Sequence, residues 1–334
     1  MLDIVYNLHG FALFLLCLRL SSLIIFPMPR RIIVLSLLFI LYSCAEDKEI
    51  IPPADPCSLD KQIIFLDNPI QFGTDSTFDI ITWNIENFPK KDNITVNYVA
   101  DLIDSIKADI IVLQEIKSQY DFQELLDNIV DYDGIRSNSA SFNINLATIY
   151  SSEVEVVVLY EIYTEDWWSF PRSPQVTEVK WKNIEITIIN NHFKANESGT
   201  EDEDRRRSAS EELEDYINLN LSEKNVILLG DLNDELTNQE QDNVFMNFIS
   251  QTCEYLFVDM IIAEDNTSSQ WSYPSWPSHI DHILITNELF DEYEKEPSLV
   301  QTIHLQEYFD GGWIDYEKYI SDHLPVGLRL VFSP

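Results

Sequence analysis

The sequence predicts an α/β fold, a four-layered sandwich of two packed mixed β-sheets flanked by helices. Three observations carry this prediction. Short continuous apolar runs, the signature of strands buried on both faces, alternate with segments of helical period. Strand candidates number about ten against three or four helices, which fits sheets packed face to face with helices outside. From Thr77 to the C-terminus there is no internal boundary and no repeat, so a single domain holds them all.

Phe78–Trp83 reads as a strand that runs into polar residues, after which Val99, Leu102, Ile103 and Ile106 recur at helical spacing. Asp109–Leu113 is a strand buried on both faces, and Phe122, Leu125, Leu126, Ile129 and Val130 mark a second amphipathic helix. Strands follow at Leu146–Tyr150, Val154–Tyr160, Val176–Trp181 and Ile184–Asn190. A third helix fits Arg206–Leu219, with Ala209, Leu213, Tyr216 and Ile217 on one side. Val226–Leu229 is another buried strand, and Val244–Ile249 makes a helical turn or two. Ile280–Ile285, Thr302–Leu305 and Val326–Val331 complete the strands.

Among 334 residues, 57 acidic side chains outweigh 21 basic ones, for a net charge of −36. A chain that is 45% hydrophobic and 12% aromatic has too much buriable surface to stay disordered, and eight glycines exclude a glycine-rich repeat. The charge also argues against a protein that coats nucleic acid non-specifically, because such affinity comes from Lys and Arg releasing counterions. A polyanionic substrate would need a local positive patch.

Two apolar runs precede the domain, Phe11–Leu18 and Ile32–Leu41, each too short to span a bilayer alone. From Met28 onward, Arg30-Arg31, the second run and Leu41-Tyr42-Ser43-Cys44-Ala45 resemble a bacterial lipobox. That resemblance implies an acylated Cys44 as the mature terminus, hence an extracytoplasmic protein anchored to a bacterial membrane at the periplasm or cell surface. A plain secretory signal or an inefficient membrane helix is the alternative. Residues 1–43 are then extension and signal, 44–76 a tether rich in acid and Pro, and 77–334 the domain. Cys57 and Cys253 would remain in an oxidising compartment, either as a disulfide or as two inert thiols.

The polar residues that interrupt the strands matter most. Trp83-Asn84-Ile85-Glu86 leaves the first strand with two polar side chains on one side. Leu113-Gln114-Glu115 puts a carboxylate after a buried strand, and Asn190-Asn191-His192-Phe193-Lys194 brings a histidine and an amine to a strand end. Gly230-Asp231-Leu232-Asn233 ends another strand with Asp231 and Asn233 on one face, where the glycine permits close backbone approach. Ser278-His279-Ile280-Asp281-His282 opens a strand, as does Ser321-Asp322-His323-Leu324-Pro325. Taken singly, each has a bland reading as a strand-end turn or a hydrogen-bonded structural histidine.

In this order, the six segments resemble the endonuclease/exonuclease/phosphatase superfamily of deoxyribonuclease I-like fold, over about residues 77–332. The resemblance implies a divalent-metal-dependent phosphodiesterase. Mg²⁺, with Mn²⁺ or Ca²⁺ as alternatives, would be held by Glu115 with Asn84, Glu86 and Asp322, since hard cations take oxygen ligands and keep much of their water. Asp231 and Asn233 would orient the attacking water. His323, fixed by Asp281, would act as general acid/base or as a clamp on the phosphate, and His192 matches a second active-site histidine. Asn84, Arg172 and Lys194 would contact substrate, Arg172 because Phe170-Pro171-Arg172-Ser173-Pro174 is similar to a phosphate-contacting stretch of secreted deoxyribonucleases.

Those deoxyribonucleases carry a glutamate upstream that orients the first histidine. Here Phe142-Asn143-Ile144-Asn145 offers amides, which leaves the role of His192 open. Arg205-Arg206-Arg207 reads as the charge-balanced start of a helix, or else as part of a positive patch with Arg136. Trp167-Trp168 and Trp271–Trp276 read as loop anchors or as platforms for bases. The superfamily spans several phosphate esters. Nucleic acid is the expected substrate, a phospholipid or small phosphate ester the alternative, and a catalytically dead binding module the reading from another class. No protein partner is expected.

Overall fold

The computed structural model describes residues 70–333 apart from Ser198 and Asn266. Twelve strands form two six-stranded sheets. The first has the order β11-β12-β1-β2-β4-β3 and the second β5-β6-β7-β8-β10-β9. Their ranges are β1 Phe78–Phe88, β2 Ile110–Ile116, β3 Tyr132–Arg136, β4 Asn145–Ser151, β5 Val154–Glu161, β6 Gln175–Trp181, β7 Ile184–His192, β8 Val226–Asp231, β9 Tyr255–Phe257, β10 Asp281–Thr286, β11 Leu299–Thr302 and β12 Val326–Leu330. Each sheet is mixed. It holds one parallel pair, β1·β2 or β7·β8, among antiparallel neighbours.

Three apolar clusters mark three interfaces between four layers. Ile80, Val112, Ile188, Leu229, Ile283 and Leu328 pack between the sheets. On the outside of the first sheet, Ile81, Leu113 and Ile149 meet Val99 and Ile103 of α1 (Asn93–Ile106) and Phe122 of α2 (Gln119–Asn128). On the outside of the second, Ile189, Leu228 and Leu284 meet Ala209, Leu213 and Ile217 of α3 (Thr200–Asn220). Four short helices lie in the remaining connections: α4 Met246–Ile249, α5 Met260–Glu264, α6 Phe290–Glu294 and α7 Trp313–Tyr319.

The inner faces of the sheets change character along their length, and this positions the site. With alternate residues facing inward, β1 goes from Phe78 and Ile80 to Thr82 and Asn84, and β2 from Ile110 and Val112 to Gln114. β7 goes from Ile186 and Ile188 to Asn190 and His192, and β8 from Ile227 and Leu229 to Asp231. These four strands reach the same end of the sandwich with their C-termini, while the antiparallel β10 brings Asp281 there at its start. The buried amides satisfy one another across the sheets: Gln114 Nε2 donates to Asn190 Oδ1 at 2.8 Å, and Asn190 Nδ2 donates to the carbonyls of Leu113 and Ala147 at 3.2 and 3.0 Å. Such pairing is what makes polar burial tolerable.

The structure corrects the expected elements in a few places. The helix expected from Arg206 begins at Thr200, so Arg205–Arg207 lie within its second turn. The strand expected at Thr302–Leu305 is β11, three residues earlier, and β3, β9, α5, α6 and α7 were not expected. The domain begins before Thr77, because Phe72 is fully buried against Gly327 and its amide bonds the carbonyl of Ile106 at 3.0 Å. Cys253 is disulfide-bonded, while its expected partner Cys57, the signal and Cys44 lie outside the described residues.

Candidate active site

Where the polar ends of the two sheets meet, a cleft of about 860 Å³ is lined by Asn84, Glu86, Glu115, Arg172, His192, Asp231, Asn233, Asp322 and His323, among others. Asp281 lies buried directly behind His323. Of the predicted site residues, Lys194 alone falls elsewhere. It lines a neighbouring cavity, with its amine 3.2 Å from Glu197 and 3.5 Å from Asp202.

Glu115 reaches the cleft through a backbone irregularity. Strict alternation would send it, with Leu113, to the helix-covered face. Instead the register of β2 shifts between Leu113 and Ile116 and Glu115 adopts φ +66°, a bulge that re-aims the side chain. Its Oε2 accepts the amide N–H of Asn87 at 2.8 Å. Asn84 ties this carboxylate to the second sheet: its Nδ2 donates to Asp231 Oδ2 at 2.9 Å and lies 3.4 Å from Glu115 Oε1, while its Oδ1 accepts the Glu86 amide at 3.0 Å. The carboxylates on one end and the N–H on the other fix which way the amide faces.

Asp231 stands at the centre, 2% exposed. Gly230 before it has φ +148°, and a Cβ there would lie 2.0 Å from the carbonyl oxygen of Asn191, so only glycine lets β8 approach β7 closely enough. Burial, with the nearby charge of Asp281, raises the Asp231 carboxyl to about 7. Its Oδ1 accepts the amide of Asn233 at 3.1 Å, and Asn233 in turn donates Nδ2 to the carbonyl of Phe193 at 3.2 Å.

His323 is held on three sides. Its Nδ1 lies 2.7 Å from Asp281 Oδ2, its ring packs against Tyr273 at 4.6 Å, and its Nε2 faces Asp231 and Asp322, each at 3.9 Å. Burial alone would favour the neutral ring, yet the charge and hydrogen bond of Asp281, backed by Asp231 and Asp322, raise its pKa to about 10. At neutral pH it is an imidazolium. His192 is its opposite. Burial, together with the Arg172 and His323 charges, holds it well below the ordinary histidine value, and its Nδ1 is buried with no hydrogen-bond partner among the described residues. The neutral ring presents Nε2 3.5 Å from Asp231 and 4.0 Å from Glu115. The missing upstream glutamate thus has a visible consequence, since nothing orients His192 through Nδ1.

Hydrogen bonds from Ser321 and Tyr316 fix the His323 loop. Ser321 Oγ donates to the carbonyl of Asn84 at 2.6 Å and accepts the His323 amide at 2.9 Å. Tyr316 accepts from Trp83 Nε1 at 3.0 Å and donates to the His323 carbonyl at 2.7 Å. Tyr316→Phe leaves both partners buried without that hydroxyl. A loss of ~1–3 kcal/mol is expected in denaturant melts, and unchanged stability would show that the link carries no energy.

Sequence reasoning missed Tyr273 and a fully buried cluster behind the site. Asp259 accepts His282 Nδ1 at 2.6 Å, His279 Nε2 at 3.1 Å and the Ile283 amide at 2.8 Å. His282 Nε2 faces the carbonyl of Asp234 at 2.8 Å, and Arg206 binds the Asp234 carboxylate at 2.9 Å. The cluster therefore braces the loop that carries Asn233. The His279-x-x-His282 spacing was its only sequence signal.

Among the described residues, two groups have the spacing of metal ligands: Asp231, Asp281 and His323, and Asp259, His279 and His282. His279 and His282 have both ring nitrogens spent on a carboxylate, a carbonyl or a backbone N–H, and His323 has Nδ1 on Asp281 and a proton on Nε2. A protonated ring cannot ligate. Hard oxygen donors that still face the cleft come instead from Glu115, Glu86 and Asp322. Glu86 is paired with Lys90 and accepts the Asp322 amide at 3.1 Å. Burial and the Asp322 charge raise its carboxyl against the opposing effect of Lys90. This oxygen-rich, half-solvated set suits a divalent cation of the Mg²⁺ type.

The chain matches no curated protein in sequence. Its fold is similar to that of D. rerio TDP2 complexed with single-strand DNA product (TM-score 0.59, 14% identity, 77% of this chain and 99% of that one). The human Nocturnin catalytic domain with bound sulfate is similar (0.57, 18%, 77% and 95%), as is a mannosyl-6-phosphatase of Bacteroides thetaiotaomicron (0.54, 15%, 76% and 100%). At such identities these likenesses speak for the fold alone. The model of the endonuclease/exonuclease/phosphatase family matches residues 81–323, the span that contains every residue of the cleft described above, and the chain belongs to that family of phosphoester hydrolases.

Proposed function

We propose that the protein is a divalent-metal-dependent phosphodiesterase that cleaves nucleic acid by attack of water on phosphorus. The observation that carries this reading is the line Asp281–His323–Asp231, which faces Glu115 and Asn84 within one cleft.

A cation held by Glu115, with Glu86 and Asp322 beside it, would neutralise charge growing on the phosphoryl oxygens. The chain's own residues do the rest. Asp231, with a pKa raised to about 7, is matched to accept the proton of the attacking water near neutral pH. The Asn233 amide holds Asp231 in place. His323 offers Nε2–H as a charged donor to a phosphoryl oxygen, while Asp281 keeps the ring oriented and protonated. His192 offers Nε2–H from a neutral ring beside the same carboxylate. Arg172, which spends one hydrogen bond on the Phe193 carbonyl at 3.2 Å, faces the cleft as a phosphate contact.

A small phosphate monoester is the second reading. It is favoured by the net charge of −36 and by the excess of carboxylates over cationic side chains in the cleft lining, which repels a long polyanion. Supercoiled plasmid, single-stranded oligonucleotide and mannose 6-phosphate, each offered with Mg²⁺ and then with EDTA, separate the two. Nicking or strand cleavage that EDTA stops is expected. Mg²⁺ at a hundred times its Kd should also stabilise the wild type by ~2.7 kcal/mol, a gain that Glu115→Gln abolishes. Turnover of the monoester alone selects the second reading, and no turnover with no stabilisation by metal removes both. The lipid anchor at Cys44 belongs to the same proposal and is tested by fatty-acid labelling of the full chain against Cys44→Ser.

A further inference from the structure

A second cavity, of about 340 Å³, opens beside the cleft. Arg172, Ile144, Ala195 and Glu197 line both, so the two form one continuous groove with Arg172 at the junction. Two aromatic side chains wall the far part. Phe142 is 92% exposed and Trp167 is 71% exposed, although both are large apolar groups that folding would ordinarily cover.

Neither ring is on a slack loop. Phe142 sits at φ +57° and Asn143 at φ +64°, left-handed conformations that are costly for a bulky side chain. The turn is clamped in that state: Arg136, itself buried, donates to Asn143 Oδ1 at 3.0 Å and to the Ile116 carbonyl at 3.1 Å, and Asn143 Nδ2 donates to the Lys117 carbonyl at 2.7 Å. Across the cavity, Arg205 donates to the carbonyls of Trp168 and Trp167 at 2.6 and 3.2 Å. Asp166 Oδ1 accepts the Trp168 and Ser169 amides at 3.1 and 3.2 Å. The fold thus holds two largely exposed rings on braced turns, one of them strained, and gains little burial from either. Rigid aromatic faces beside the guanidinium groups of Arg172 and Arg205 are what stacking of a base requires.

We propose that this cavity is a nucleobase subsite, which stacks the base of the nucleotide next to the scissile phosphate against Phe142 and Trp167 while Arg172 holds the intervening phosphate. This rests on the nucleic-acid reading above and adds that the strand is single, because a base enters such a pocket only when it is unstacked. A lipid chain fits less well, since Arg172, Lys194 and Arg205 are among the lining residues and the space is short.

The test uses two single-stranded oligonucleotides, one intact and one carrying tetrahydrofuran abasic residues around the cleavage site, with Mg²⁺. Wild-type kcat/KM should favour the intact strand about tenfold, the worth of a stacked base. Phe142→Ala and Trp167→Ala should bring that ratio close to one, chiefly through KM, and Phe142→Tyr should restore it. Tyr120→Ala, which removes an aromatic 76% exposed and outside both cavities, should keep the wild-type ratio. A ratio that the two alanine variants leave at its wild-type value, on an enzyme that cleaves both strands, overturns the subsite and spares the nuclease. Failure of the wild type to cleave either strand overturns both. A KM for mannose 6-phosphate that rises in Trp167→Ala while that ratio stays fixed assigns the cavity to a sugar ring and overturns the base.

Discussion

Asp231→Asn is expected to lower kcat by about a thousandfold or more, with little change in KM and no loss of melting temperature. General-base catalysis by a positioned group is worth ~10²–10⁴, and the amide also removes a negative charge that faces the His323 imidazolium. Stability should move the other way. A buried carboxyl whose pKa is raised destabilises the fold wherever it is ionised, and that cost grows as pH rises above the ordinary carboxylate range. A neutral amide of the same shape escapes both the desolvation and the repulsion from Asp281. In EDTA at pH 8, the variant should therefore melt at or above the wild type, as expected where a catalytic group is kept at the expense of stability. Activity within tenfold of wild type would remove Asp231 from the chemistry. A large drop in melting temperature would show that the kinetic loss came from the fold.

The central carboxylate was legible in the sequence because its context is local. Gly230-Asp231-Leu232-Asn233 closes a run of four apolar residues, and glycine before a polar pair at a strand end is a backbone requirement as much as a chemical one. Asp281 and His323 were legible for the same reason, each at the entrance of a strand. The strands themselves were marked by their runs of Ile, Val and Leu, and by where those runs turned polar.

What was not legible depended on tertiary structure. Glu115 was placed by motif, but period-two reasoning puts it on the wrong face, and only the left-handed residue and its bulge explain how it arrives. The start of α3 was missed because Glu201-Asp202-Glu203-Asp204 looks like solvated loop. Asp202 is in fact 1% exposed and Arg206 4%, each neutralised by a partner from outside the helix or its own N-terminal loop. β3 carries an alternation too short and too polar to register, Tyr-Asp-Gly-Ile-Arg, and is a strand only because β4 pairs with it. Lys194 follows His192 closely in sequence, yet the last backbone bond to β8 is made by Phe193, and the Lys194 amine goes to acids of the α3 entry.

Asp259→Ala should cost the fold ~3–5 kcal/mol, the usual penalty for breaking a buried ion pair from one side, and lower Tm by on the order of 10 °C for a domain of this size. The charge state follows from geometry. Both nitrogens of His282 face acceptors that cannot donate, a carboxylate oxygen and the Asp234 carbonyl, so the ring carries both protons although it is fully buried. Asp259 is correspondingly an anion. Burial opposes it, but the charge of His282 and the hydrogen bonds of His282 and His279 hold its carboxyl well below the ordinary value of 3.8. The same charge lifts His282 above 6.5 against burial. The depressed carboxyl stabilises above its unfolded pKa and loses that contribution as pH falls through its folded one. The raised imidazole stabilises below 6.5 and loses its contribution as pH climbs toward its folded value. Both contributions are complete between about pH 4 and 6.5, so the gap between wild type and variant should be widest near pH 5 and narrow toward pH 9. In the variant, a His282 with no counter-charge is driven neutral by burial, and its stability should rise with pH through 6.5 where that of the wild type begins to decline. Urea melts of both proteins across that range read the two slopes directly, and parallel curves would mean that His282 is not an imidazolium. Because His282 also holds the Asp234 carbonyl, one residue beyond Asn233, Asp259→Asn should keep most of the packing while loosening that loop. Its kcat should then fall while its far-ultraviolet circular dichroism stays unchanged, which places the cluster behind the chemistry without making it part of it.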